Sequence, residues 1–157
     1  MPCSIHPFAV AALLLMMIAG GCHHAERTTM DVQAESQKIQ QIIDQYAVMG
    51  GGDPERFRAL FWIDDPNLTN VENDRPYLLG PEYVEFLADL VRKEGGGGPV
   101  GQRFYDTKIY FLTPDVAYSV SLRDELNIAK TSRVTFVCQK KHGEWRIIHG
   151  HFSYVPE

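Results

Sequence analysis

The chain has 157 residues, 45% of them apolar and 22% charged, which provides for one hydrophobic core and one globular domain. Its formal net charge is −5, and no stripe of Lys or Arg runs along it to neutralise phosphates, so a nucleic-acid partner is not expected.

Phe8 to Ile18 form an unbroken apolar run that ends in Ala19-Gly20-Gly21-Cys22. The run is short for a membrane span and has the length of a secretory signal. Small residues directly before a Cys resemble a bacterial lipobox, although Ala19 stands where Leu is usual and His6 is the only basic residue before Phe8. The resemblance implies a signal peptide over residues 1–21, acylation of Cys22 and, with His23 next, an outer-membrane lipoprotein facing the periplasm of the bacterial envelope. Simple cleavage and secretion is the alternative. Residues 22–32 then read as a tether and 33–157 as the domain. Cys3 leaves with the signal and Cys22 carries lipid, so Cys138 is the one thiol left and no internal disulfide is expected. Flanked by apolar strand residues, Cys138 reads as a buried side chain rather than a catalytic thiol, which would need exposure and a base.

Ile39, Ile42, Ile43, Tyr46 and Ala47 recur at three- and four-residue steps, so a helix is predicted from Asp31 or Ser36 to Met49, stopped by Gly50-Gly51-Gly52. Asp53-Pro54 restarts a helix, since Asp caps free amides and Pro gives up an N–H that would be unpaired at that position. Phe61 to Leu79 is polar and turn-rich. A third helix follows from Pro81 to Lys93, with Tyr83, Phe86, Leu87, Leu90 and Val91 expected on its buried side, and Gly95 to Gly98 end it. Alternation then predicts strands over Arg103–Leu112 and Ala117–Glu125, separated by the Thr113-Pro114-Asp115 turn.

The last predicted unit is a hairpin from Ser132 to Ser153 about a His142-Gly143 turn, because Gly at the second loop position suits a type I′ connection. An unbroken register sets Cys138 opposite Ile147, Phe136 opposite His149 and Val134 opposite His151. The inner face would then be Val134, Phe136, Cys138, Trp145, Ile147, His149 and His151. The outer face would be Arg133, Thr135, Val137, Gln139, Arg146, Ile148, Gly150 and Phe152.

The spacing Trp145, His149, His151, Ser153 resembles the ending of SnoaL-like domains and of the calcium/calmodulin-dependent protein kinase II association domain, both of the nuclear transport factor 2-like superfamily. Tyr46-Ala47, the break at Asp53, Phe57 to Phe61 leading into Asp64-Asp65, and Gly80-Pro81-Glu82 extend the resemblance over roughly residues 33 to 155. It implies an α+β fold, a cone-shaped, curved antiparallel sheet wrapped round N-terminal helices. It does not imply one reaction, since this superfold carries enzymes and binding modules alike.

The function expected is binding of a small organic ligand or peptide segment in the cone, without catalysis. The pocket would be lined by His149, His151, Ser153, Trp145, Tyr118, Trp62 and Asp65, and the two imidazoles would take an anionic or carbonyl group more tightly as pH falls through about 6.5. Isomerase, cyclase or dehydratase chemistry is the alternative, with Asp64 or Asp65 as base, Tyr46 or Tyr118 as donor and His149 as shuttle; no spacing fixes these roles. Asp64-Asp65-Pro66 reads in preference as a solvated turn, since acidic residues before Pro favour such turns, and Tyr46 in preference as core. No cofactor is expected, and no metal, because His149 and His151 lack a third ligand. A homodimer is expected through Arg133, Thr135, Val137, Ile148 and Phe152, a face too apolar for water and too polar for the core.

Overall fold

A computed structural model describes residues 30–73, 78–93, 102–125 and 129–156. The expected signal, the tether up to residue 29 and the Gly95–Gly98 run lie outside the described residues. Helix α1 is Val32–Ala47, and Asp31 caps it by accepting from the Ala34 amide at 3.0 Å. A 3₁₀ turn at Met49–Gly52 follows, with Met49, Gly51 and Gly52 at positive φ. Helix α2, Pro54–Arg58, opens as predicted with Asp53 accepting from the Glu55 and Arg56 amides.

Helix α3 is Gly80–Lys93, and it starts at Gly80 because a Cβ there would lie 2.1 Å from the Leu68 side chain. Tyr83 and Val91 are buried as expected and Leu87 packs on the core, but the buried side extends to Val84 and Ala88, and Phe86 is 43% exposed. Val84, Ala88 and Val91, all fully buried, turn this side of the helix to the core, and that rotates Phe86 outward.

Six strands form one mixed sheet in the order β2-β1-β6-β5-β4-β3. They are β1 Thr69–Glu72, β2 Leu78–Leu79, β3 Gln102–Thr113, β4 Val116–Glu125, β5 Lys130–Lys141 and β6 Glu144–Tyr154. All neighbours are antiparallel except β1, which runs parallel to β6. The β5–β6 turn is the predicted one: His142 and Gly143 have φ of 52° and 84°, the two positive values a type I′ turn requires.

The predicted hairpin register holds from Lys141–Glu144 to Cys138–Ile147 and then breaks. Val137 pairs with His149, so Ile148 is an extra residue in β6, and beyond it Phe136 pairs with Gly150, Thr135 with His151 and Val134 with Phe152. One inserted residue exchanges the two faces, because side chains alternate with period two. His149, His151 and Ser153 therefore lie on the outer face, contrary to the unbroken register. Gly150 and Phe152 lie inside, Phe152 only 1% exposed. The exchange buries a phenyl ring, worth about 1.5–3 kcal/mol, in place of imidazoles that would need partners in the core. Phe152 is thus removed from the expected dimer face.

A second irregularity, between Tyr105 and Lys108 of β3, has Asp106 at φ 51°. It acts the same way: Gln102 and Phe104 face inward before it, and Ile109 and Phe111 pack on the core after it. In β4 the inward residues are Ala117, Ser119, Ser121 and Arg123, all buried.

The helices cover this concave face, and Tyr46 sits at the centre of the core, its ring 4.9 Å from Phe136, 5.5 Å from Phe57, 6.0 Å from Phe152 and 5.9 Å from Phe104. Cys138 is fully buried in this core, and burial pushes its thiol up to about 12, so it carries no thiolate at neutral pH.

Gly150 tests the bulge directly. A Cβ there would stand 2.5 Å from Asn70 Oδ1, and Asn70 is itself buried at 2% exposure. Gly150→Ala should lose about 1–3 kcal/mol in urea unfolding; an unchanged midpoint would mean that β6 re-registers without strain.

Candidate functional site

The residues expected to form one pocket stand at three separate places. His149, His151 and Tyr118 lie on the outer sheet face, where Thr69, His149, Val137, Tyr118 and Tyr110 make a cross-strand row. Thr69 Oγ1 and His149 Nδ1 share a hydrogen bond of 2.7 Å, and the Tyr110 and Tyr118 rings stack at 5.0 Å. Partial burial and then the neighbouring His151 hold the His149 imidazole below its ordinary range, which opposes its becoming a cation for an anionic ligand.

Trp62 and Asp65 lie beside an open groove of about 420 Å³ that also includes Lys141 and Arg146. The Trp62 indole donates to the Gln139 carbonyl at 2.8 Å, with the Arg146 guanidinium 4.3 Å from its ring. Asp65 is neither a solvated turn residue nor a free base. It is 7% exposed, paired with Lys141 at 2.6 Å, and accepts from the Asn67 amide at 2.8 Å; Lys141 and then that amide hold its carboxyl below the usual range. Asp64 is exposed.

Trp145 belongs to the core wall and serves to fasten α1 to the hairpin. Its indole donates to Glu35, whose carboxylate also takes Lys140 at 2.8 Å and Lys38 at 2.7 Å. Among the described residues no three His, Cys, Asp or Glu are grouped to hold a metal ion.

A second polar cluster of the concave face lies at its end away from the hairpin turn. Arg123, 4% exposed, comes from β4. Its Nη2 donates to Glu125 Oε1, to Glu72 Oε1 at 3.4 Å and to Ser132 Oγ at 3.4 Å, while its guanidinium carbon lies 4.4 Å from the Phe152 ring centroid. Ser132 Oγ donates to Glu125 Oε1 at 3.2 Å. Tyr83 Oη donates to Glu72 Oε2 at 3.0 Å and lies 2.8 Å from Tyr46 Oη. A hydroxyl has one proton to give, so Tyr46 donates to Tyr83 and the chain runs Tyr46 to Tyr83 to Glu72.

Burial raises both phenols far above their ordinary value, so both stay protonated at neutral pH. Gln102 joins from β3, opposite Glu125, with its Nε2 3.7 Å from Met49 Sδ. Arg123 Nε and Gln102 Oε1 are buried and find no partner among the described residues.

The sequence alone did not single out this cluster. The signal was present in the alternation itself, since Arg123 is in phase with Ala117, Ser119 and Ser121. Glu72 and Tyr83 had no such signal, because β1 and α3 reach the cluster only through the tertiary fold.

No family model matches the sequence, and no curated protein matches it. Solved structures do. A Streptomyces avermitilis protein of the NTF2-like family that carries a dehydratase designation superposes with TM-score 0.64 at 15% identity, covering 80% of this chain and 99% of its own. An NTF2-like protein of unknown function from Pseudomonas putida KT2440 gives 0.60 at 17% identity, with 82% and 91% covered. The association domain of C. elegans CaMKII gives 0.55 at 21% identity, with 77% and 96% covered. The chain therefore has the nuclear transport factor 2-like fold, as its hairpin and helix pattern implied.

The Glu35 fastening has a pH signature. Hydrogen bonds from Lys140, then Lys38 and Trp145, hold its carboxyl down to about 2. A value below the ordinary 4.5 stabilises the fold fully above pH 4.5, and the contribution is lost as pH falls toward 2. Glu35→Gln should lower stability at pH 7 and flatten its decline across that interval, read by thermal unfolding at pH 7, 4.5 and 3. Parallel pH profiles for the two proteins would refute the assignment.

Proposed function

We propose that this chain is an exported, lipid-anchored binding module that holds a small organic ligand or a peptide segment at the polar end of its concave face, without catalysing a reaction. The observation that carries the reading is Arg123. A guanidinium held at 4% exposure among two carboxylates, with its Nε unpartnered, is costly to the fold unless a bound group or water completes it.

The export and acylation reading rests on the apolar run and on Cys22 in the sequence. Homodimerisation through the outer sheet face is supported by Tyr110, Tyr118, Val120, Val137 and Ile148 on that face, with Leu112 65% exposed near its edge. A second reading, acid/base catalysis on the same ligand, is favoured by the Tyr46–Tyr83–Glu72 chain and by the dehydratase designation of one similar structure. Conversion of the ligand by wild type and not by Tyr83→Phe would establish it.

Native mass spectrometry of the full-length chain extracted from bacterial membranes tests the proposal in one measurement. The expected species is a dimer that begins at an acylated Cys22 and carries a small-molecule or peptide adduct. The adduct should be lost in Arg123→Met and in the milder Glu72→Gln. An intact Met1 would overturn the anchor, a monomer at micromolar concentration would overturn the dimer, and an adduct retained by both variants would overturn the site.

A further inference from the structure

We infer that the group recognised at the Arg123 end is a neutral amide, of the kind found in a peptide bond or a primary carboxamide, and not an anion. The inference rests on the binding reading above and specifies its ligand. Two orphaned atoms define the requirement. Among the described residues Arg123 Nε carries a proton with no acceptor, and Gln102 Oε1 is an acceptor with no donor, both buried. Gln102 pairs across the ladder with Glu125, two residues along β4 from Arg123, so both side chains belong to the same inward-facing patch. A ligand that satisfies both must accept from one and donate to the other.

Charge decides against the partner an arginine usually implies. One guanidinium here faces two carboxylates, a formal charge of −1, and Glu125 and Glu72 already occupy its Nη2. The carboxylate side chains are also the more accessible members, at 16% for Glu72 and 23% for Glu125 against 5% for Arg123. An incoming carboxylate or phosphate meets like charge first, and it has no proton to give Gln102. An ammonium group can donate to Gln102 but cannot accept from Arg123. A hydroxyl must meet both orphans at a single oxygen. An amide presents acceptor and donor on two different atoms, the oxygen and the nitrogen on either side of one carbonyl carbon, and carries no charge into a buried site, where an unpaired ion is costly.

The test follows two side-chain resonances by ¹H–¹⁵N NMR, Arg123 Nε–Hε and the Gln102 carboxamide, while the full chain is titrated with N-methylacetamide, acetate, methylammonium or ethanol. N-methylacetamide should shift both resonances saturably, and the other three probes should not at equal concentration. Gln102→Met, which keeps length and burial, should weaken the N-methylacetamide response at Arg123 about tenfold, the loss of one hydrogen bond. Saturation by acetate, methylammonium or ethanol at equal or higher affinity would overturn the inference, as would an amide response indifferent to Gln102→Met. Silence with all four probes would also overturn it. Should a co-purifying adduct that Arg123→Met abolishes accompany that silence, only the ligand class fails; without such an adduct, the binding reading fails with it.

Discussion

Ile148 is one residue too many in β6, and the interior depends on it. With Cys138 opposite Ile147 and Val137 opposite His149, every side chain beyond the bulge changes face. That puts Phe152 against Tyr46 and Phe136, gives Asn70 the space over Gly150, and turns two imidazoles outward. A straight β6 would leave the aromatic core without one of its rings and bring His149 and His151 inside. The bulge in β3 at Asp106 makes the same exchange on the other flank of the sheet, so that Phe104 and Gln102 face in on one side of it, Ile109 and Phe111 on the other.

The concave face is consequently divided along its length. Its middle is apolar, packed by Tyr46, Phe57, Phe61, Phe136 and Phe152. Toward the hairpin turn it is held by the Glu35 carboxylate, which joins α1 to Trp145 and Lys140. Toward the opposite end it becomes the Arg123 cluster, where α1 and α3 contribute phenols and β1 a carboxylate. The two ends differ in how completely their polar groups are satisfied. Glu35 has three donors, whereas among the described residues Arg123 Nε and Gln102 Oε1 have no partner. Structural ion pairs are expected to be complete, and an incomplete one marks a place where something else can bind.

The three solved structures compared above share this fold at 15–21% identity, which fixes an architecture and leaves the chemistry to each chain's own side chains. Here two of the groups offered by the sequence for acid/base roles are engaged within the fold. Asp65 is committed to Lys141, and His149 to Thr69 on the outer face. Tyr46 gives its phenolic proton to Tyr83, and Tyr83 gives its own to Glu72.

Much of the fold was legible in the chain. Asp31 and Asp53 as caps, the His142-Gly143 turn, the apolar spacing of α1 and the alternation of the strands are signals written within four or so residues, and local geometry reads them directly. Burial of Cys138 followed from its neighbours in the same way. The candidate site was not legible, for two physical reasons. A single inserted residue inverts which side chains face the core, and alternation cannot say where a strand bulges, because that is settled by which of His151 and Phe152 the aromatic interior accepts. The Arg123 cluster, moreover, joins Tyr46, Glu72, Tyr83, Glu125 and Ser132 from five separate elements, and only the curvature of the sheet under its helices brings them within hydrogen-bonding distance.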